Sequence, residues 1–137
     1  IIIVGGNPNE KFAFKSKCLK WSLENENKFL SISDIGLMPL PMENWSKGKC
    51  GGKARTYMAS GVIPVVSNIG YNKDLIKHKV TGFLCSDSND WEQALKLLSE
   101  NQKIHKQIID LNYKLVKTKF EKTKIAKILE NSILNLC

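Results

Sequence analysis

The sequence predicts an α/β domain with a doubly wound, mostly parallel sheet and extra C-terminal helices. Three observations carry this. Strand patterns recur at Ile1–Val4, Lys17–Trp21, Asp34–Met38, Ile63–Ser67 and Gly82–Cys85, and several are short continuous apolar runs, as suits strands covered on both faces. Helical patterns lie between them, and strand–helix alternation on this spacing gives parallel strands joined by crossovers. The last third of the chain reads as helix throughout.

Taken in order, Ile1-Ile2-Ile3-Val4 reads as a buried strand rather than a signal peptide. A strand at the very first residue, with no initiating methionine, suggests a piece cut from a longer protein. Glu24–Ile32 is a short helix with Phe29 and Leu30 as its apolar contribution. Lys53–Ser60 places Ala54, Tyr57 and Met58 on one face and stops at Gly61, a favourable residue just past a helix end. Pro64 lacks a ladder donor and belongs at the beginning of its strand. Asn72–His78 is a brief helix. Asn89 followed by Glu92 forms the pattern of a capping box, and Trp91, Ala94, Leu95 and Leu98 then make one stripe. Ile104, Ile108, Leu111 and Leu115 line one later face, and Ile125, Ile128, Leu129, Ile133 and Leu136 line another. Both stripes are expected to be buried against protein, with the lysines outward.

At 137 residues, 42% hydrophobic and 25% charged, the chain suits one domain over residues 1–137 with a real core. No run approaches the roughly 20 apolar residues that span a bilayer. Cys18, Cys50, Cys85 and Cys137 are widely spaced with no Cys-x-x-Cys pair, which speaks against zinc and a disulfide framework and for free thiols in a reducing compartment. The net charge is +8, yet Arg55 is the only arginine among 21 basic residues. Nucleic-acid readers lean on arginine for bidentate and stacking contacts, so nucleic acid is not an expected partner. The excess charge gathers late, at Lys103, Lys106, Lys114, Lys117, Lys119, Lys122, Lys124 and Lys127. Such lysines make a solvated helix face in most proteins, and attraction to an anionic membrane surface is the second reading.

The richest chemistry lies in Trp45-Ser46-Lys47-Gly48-Lys49-Cys50-Gly51-Gly52-Lys53. A glycine-rich turn between strand and helix lets backbone N–H groups approach an anion, and the helix N-terminus adds partial positive charge. Glycines before a helix also serve plain tight turns, and the segment matches neither the Walker loop nor the dinucleotide fingerprint. In doubly wound sheets ligands bind beyond the carboxyl ends of the strands. The loop after Met38, the Gly/Lys loop and Asn68–Asn72 all converge there, which favours a phosphate site. The remaining chemistry is sparse. His78 and His105 are single and read as surface residues, and Trp45 reads as a loop anchor or as a platform for a sugar or base. No catalytic residue and no metal ligand set is legible.

Asp34-Ile35-Gly36-Leu37-Met38-Pro39-Leu40-Pro41, Trp45, Lys47-Gly48-Lys49-Cys50-Gly51, Lys53, Tyr57-Met58-Ala59, Gly61, Pro64-Val65-Val66 and Gly70-x-Asn72 together resemble one family. They are similar to the C-terminal, nucleotide-sugar-binding half of retaining GT-B glycosyltransferases of the family 4 group (group 1). Thr81-Gly82-Phe83-Leu84 and the helix carrying Trp91 and Ala94-Leu95 continue the likeness as far as Leu98. The resemblance implies a Rossmann-like domain that binds a nucleotide-diphosphate sugar as donor substrate, with no cofactor and no metal. It implies transfer with retained anomeric configuration to a glycan or lipid-linked acceptor. It also implies a missing N-terminal acceptor domain, and hence a fragment inactive alone. A cytoplasmic place, peripheral to the inner membrane face, goes with it. Gly48, Gly51 and Gly52 would give backbone access, Lys49 and Lys53 would hold the diphosphate, and Thr56 would lie near the ribose. Most of the family carries a pair of glutamates across this loop and helix start; aligned on Met58-Ala59, those positions are Gly48 and Thr56. The alternatives are another GT-B sugar-nucleotide enzyme of epimerase type and a non-catalytic interaction module of the same fold.

Overall fold

The computed structural model of the chain describes residues 1–135. Leu136 and Cys137, the end of the expected closing stripe and the fourth cysteine, lie outside the described residues. The chain divides into two compact units, Ile1–Ile32 and the remainder from Ser33.

In the first unit, β1 (Ile2–Val4) and β2 (Lys17–Leu19) pair in parallel, with Ile2 opposite Lys17 and Val4 opposite Leu19. The helix α1 (Leu23–Ser31) follows. It starts at Ser22, whose Oγ accepts a hydrogen bond from the Asn25 N–H at 3.2 Å, and Glu24 and Glu26 in its first turn complement the helix dipole. The expected burial of the opening strand is not found: Ile2 and Val4 are exposed, because a two-stranded sheet covers little of either strand.

The second unit holds β3 (Ile35–Met38), β4 (Ile63–Ser67) and β5 (Phe83–Cys85), all parallel, in the order β3-β4-β5. The fold is therefore α/β with parallel sheets, as expected, although the strands pair as two sheets rather than one. The central strand β4 is buried along its whole length. Pro64 is its second residue, and pairing with β5 begins only at Val65, so the missing N–H costs little there.

Alternation along the strands sends side chains to opposite faces, and two core clusters result. Ile63, Val65, Phe83 and Cys85 face Ala94 and Leu98 of α5 (Ser88–Glu100) and Ile108 of α6 (Gln102–Lys119). Val66 faces Ala54 and Met58 of α3 (Gly52–Ala59), with Leu75 and Ile76 beside them. Leu115, Val116 and Phe120, at the far end of α6, join this second cluster, so α6 serves both faces of the sheet. Burial, with Asp90 and Asp87 adding, pushes the Cys85 thiol up to about 11, which keeps it protonated and unreactive.

Several expected helices differ in detail. Asp87, not Asn89, caps α5: its carboxylate accepts from the Asp90 N–H at 2.9 Å and starts the helix earlier. The helix expected over Asn72–His78 is only α4 (Asn72–Leu75), because Ile76 turns extended and leads to a bridge between His78 and Gly82. Leu111 is 44% exposed, and Asn112 is the buried residue beside it. The last helix, α7 (Lys122–Leu134), buries none of its residues, so Ile125, Ile128, Leu129 and Ile133 stand exposed where burial was expected.

Candidate functional site

The candidate site is built on the carboxyl ends of β3, β4 and β5. The chain leaves β3, forms the short helix α2 (Asn44–Lys47), and enters α3 through Gly51. The expected open loop is thus interrupted by a helical turn carrying Trp45. Gly51 adopts the left-handed conformation, φ 64°, and a Cβ there would lie 3.1 Å from Tyr71 and 3.3 Å from Leu75. The left-handed conformation favours glycine, and the close side chains leave little room for a Cβ. Gly48 is different: its φ is −79°, and a Cβ would meet only the Trp45 carbonyl at 3.6 Å. Gly52 opens α3 with similar room. Of the three glycines expected to give backbone access, Gly51 alone is singled out by the fold.

Three loops are tied together here. Ser67 Oγ, at the end of β4, accepts from the Leu40 N–H at 2.7 Å and donates to the Leu40 carbonyl at 3.0 Å. Asn72 Nδ2 donates to the Ser67 carbonyl at 3.0 Å, and Asn68 Nδ2 donates to Ser86 Oγ at 3.0 Å, reaching the loop after β5. Gly70, φ 54°, lies so close to α2 that a Cβ would sit 2.7 Å from the Lys47 carbonyl. On the β3 side, Tyr57 of α3 lays its ring over Gly36, where a Cβ would be 2.5 Å away, and donates its hydroxyl to the Leu37 carbonyl.

The electrostatics favour an anion. No acidic residue lies in the first turn of α3 and, among the described residues, no side chain caps it. Its N-terminal amides and dipole therefore act on whatever approaches. Lys53 is exposed in that first turn, and Lys49 lies half-buried just before it. Lys49 Nζ sits 3.5 Å from the centre of the Trp45 ring. Trp45 is 66% exposed, so it is no packing anchor. Lys47 Nζ donates to Asn44 Oδ1 at 2.9 Å. Arg55 Nη2 lies 3.9 Å from Cys50 Sγ, and its guanidinium stands 5.4 Å from the Phe120 ring. Thr56 Oγ1 donates to the Gly52 carbonyl at 3.1 Å, so its hydroxyl hydrogen is used inside the helix.

Two buried atoms beside this cluster, Ser46 Oγ and Asn72 Oδ1, have no hydrogen-bond partner among the described residues, and such groups cost roughly 1–3 kcal/mol each when left unmet. The two histidines stand apart from the site. His78 Nδ1 accepts from the Leu84 N–H, and His105, half-buried rather than at the surface, pairs its Nε2 with the Leu98 carbonyl. Sequence reasoning found the Gly/Lys loop and the Asn68–Asn72 segment but missed Ser46 and Ser67. Ser67 carried a signal: it is the hydroxyl residue ending an otherwise apolar central strand.

The sequence model described as "Glycosyl transferases group 1" matches residues 1–101. The chain belongs to that family. Its fold is similar to that of Anabaena HepE solved in complex with UDP, with a TM-score of 0.71 at 16% identity over 88% of this chain and 32% of HepE. The HepE structure with UDP-glucose matches with a TM-score of 0.65 at 17% identity, covering 88% of this chain and 32% of that one. This group 1 glycosyl transferase chain thus spans about a third of HepE's length and matches a Rossmann-like half of the GT-B fold. No curated protein sequence matches it.

Proposed function

We propose that this chain is the C-terminal, donor-binding half of a retaining glycosyltransferase of family 4 type, which moves a sugar from a nucleotide-diphosphate sugar to a glycan or lipid-linked acceptor. The observation that carries the reading is the uncapped N-terminus of α3 behind left-handed Gly51, flanked by Lys49 and Lys53 and free of acidic residues in its first turn. As the bond between sugar and diphosphate breaks, negative charge grows on the departing phosphate. Fixed amides, a helix dipole and ammonium groups aimed at that charge lower the barrier, work that a divalent cation does in other sites. The reaction then needs no metal and no cofactor. The UDP and UDP-glucose bound by HepE support a nucleotide-sugar donor.

In this reading the acceptor half and the catalytic groups belong to parts of the protein outside this sequence, and the fragment alone does not turn over. Thr56, with its hydroxyl turned into α3, gives the ribose a weaker contact than a glutamate would. Cytoplasmic placement and a peripheral contact with anionic membrane through the lysines of α6 and α7 complete the proposal. No helix among the described residues is long and apolar enough to cross a membrane.

Titration of the 137-residue chain with UDP, in the presence of a chelator and followed by amide NMR, tests the site. Shifts should concentrate at Gly48–Thr56 and saturate without magnesium. Shifts confined to distant surface residues would overturn the assignment.

A further inference from the structure

Trp45 is the residue at the site whose burial does not explain it. It stands on α2, whose opposite side is firmly seated: Ser46 is fully buried, and Gly70 packs against the Ser46 and Lys47 carbonyls. The ring is therefore carried on a fixed base yet faces outward. Its neighbour is the Lys49 ammonium, 3.5 Å from the ring centre and well inside the roughly 6 Å range of cation–π attraction. Lys47 and Lys53 are exposed, while Lys49 is half-buried, and it sits two residues before the left-handed cap of α3.

We infer that Trp45 is a positioning residue, whose ring holds the Lys49 ammonium at the entrance to the α3 N-terminus in readiness for a diphosphate. The inference rests on the diphosphate reading above. A free lysine loses much rotamer freedom when a ligand immobilises it; a lysine already resting on an aromatic face has lost part of it beforehand. The ring occupies one side of the ammonium, and the group has three N–H donors, so donors remain for phosphate oxygens while the ring contact persists. Lys47 is directed elsewhere, toward Asn44, and does not share this role.

Inorganic pyrophosphate is the probe, because it has no ring for Trp45 to stack on. In the parent chain the Lys49 ε-methylene protons should resonate upfield, shielded by the ring, and stay upfield at saturating pyrophosphate. Trp45→Leu should remove that shielding and weaken pyrophosphate binding about two- to fivefold, the size of an exposed cation–π contact. Trp45→Phe should restore most of the affinity, and Trp45→Leu should have no effect in a Lys49→Met background. Unshielded Lys49 protons in the parent, a measurement that needs no variant, would overturn the inference. So would equal affinity of Trp45→Leu and parent, or an equal loss in the Lys49→Met background. If pyrophosphate leaves the Gly51–Lys53 amides of the parent unshifted, the diphosphate reading fails and this inference with it. If those amides shift and Trp45 proves irrelevant, only the inference fails.

Discussion

The helices α3 and α7 are both short, both carry lysines, and meet opposite fates. The apolar stripe of α7 is the stronger in sequence, with Ile125, Ile128, Leu129 and Ile133 in register, yet all four are exposed. The sequence of α3 offers only Ala54, Tyr57 and Met58, yet Ala54 and Met58 are sealed. The difference lies in what each helix connects. A parallel strand pair requires a crossover that returns over the sheet, and α3 is the crossover between β3 and β4, so strand pairing presses it onto Val66 and Met38. Among the described residues α7 joins no pair of strands, so no crossover presses it onto the sheet. Lysines follow the same logic. Those near the start of α3 are gathered at an edge where three loops meet, while those of α7 lie along an open helix.

The largest expected effect sets the sealed face of α3 against the open face of α7. Met58→Ala should destabilise the chain by about 2–5 kcal/mol through the cavity it leaves, whereas Ile128→Ala should stay within about 0.5 kcal/mol. Chemical denaturation measures both, and a large cost for Ile128 would break the contrast. Next comes charge. Lys53→Ala should weaken pyrophosphate binding by about 1.5–3 kcal/mol, the value of a charge-assisted hydrogen bond, with little change in stability. Lys47→Ala should matter less, and Lys127→Ala should leave calorimetric affinity unchanged. Equal affinity in parent and Lys53→Ala would remove Lys53 from the site. The smallest effect concerns α6 and α7. Vesicle co-sedimentation should show binding to anionic but not neutral lipid at low salt, on the order of 1 kcal/mol per lysine near the surface, lost at high salt by screening. Absence of binding at low salt would return these lysines to a solvated face.

Sequence alone located the five strands of the described residues, most clearly where an apolar run such as Ile63–Ser67 is bounded by turn residues. It also singled out the glycine-and-lysine segment that the structure places at the entrance of α3, because three glycines and three lysines crowd into nine residues. Which glycine mattered was not legible. Gly48, Gly51 and Gly52 look alike in sequence, and only the left-handed φ of 64°, with Tyr71 and Leu75 close by, singles out Gly51. The clamp of Ser67 on Leu40 spans 27 residues, a partner choice made by strand order and not by local pattern. Local sequence determines periodicity, turn conformation and capping, because those depend on neighbours along the chain. Burial of one stripe rather than another, and the meeting of Trp45 with Lys49 on a seated α2, were decided by tertiary structure, because they depend on which surfaces the parallel sheet brings within contact.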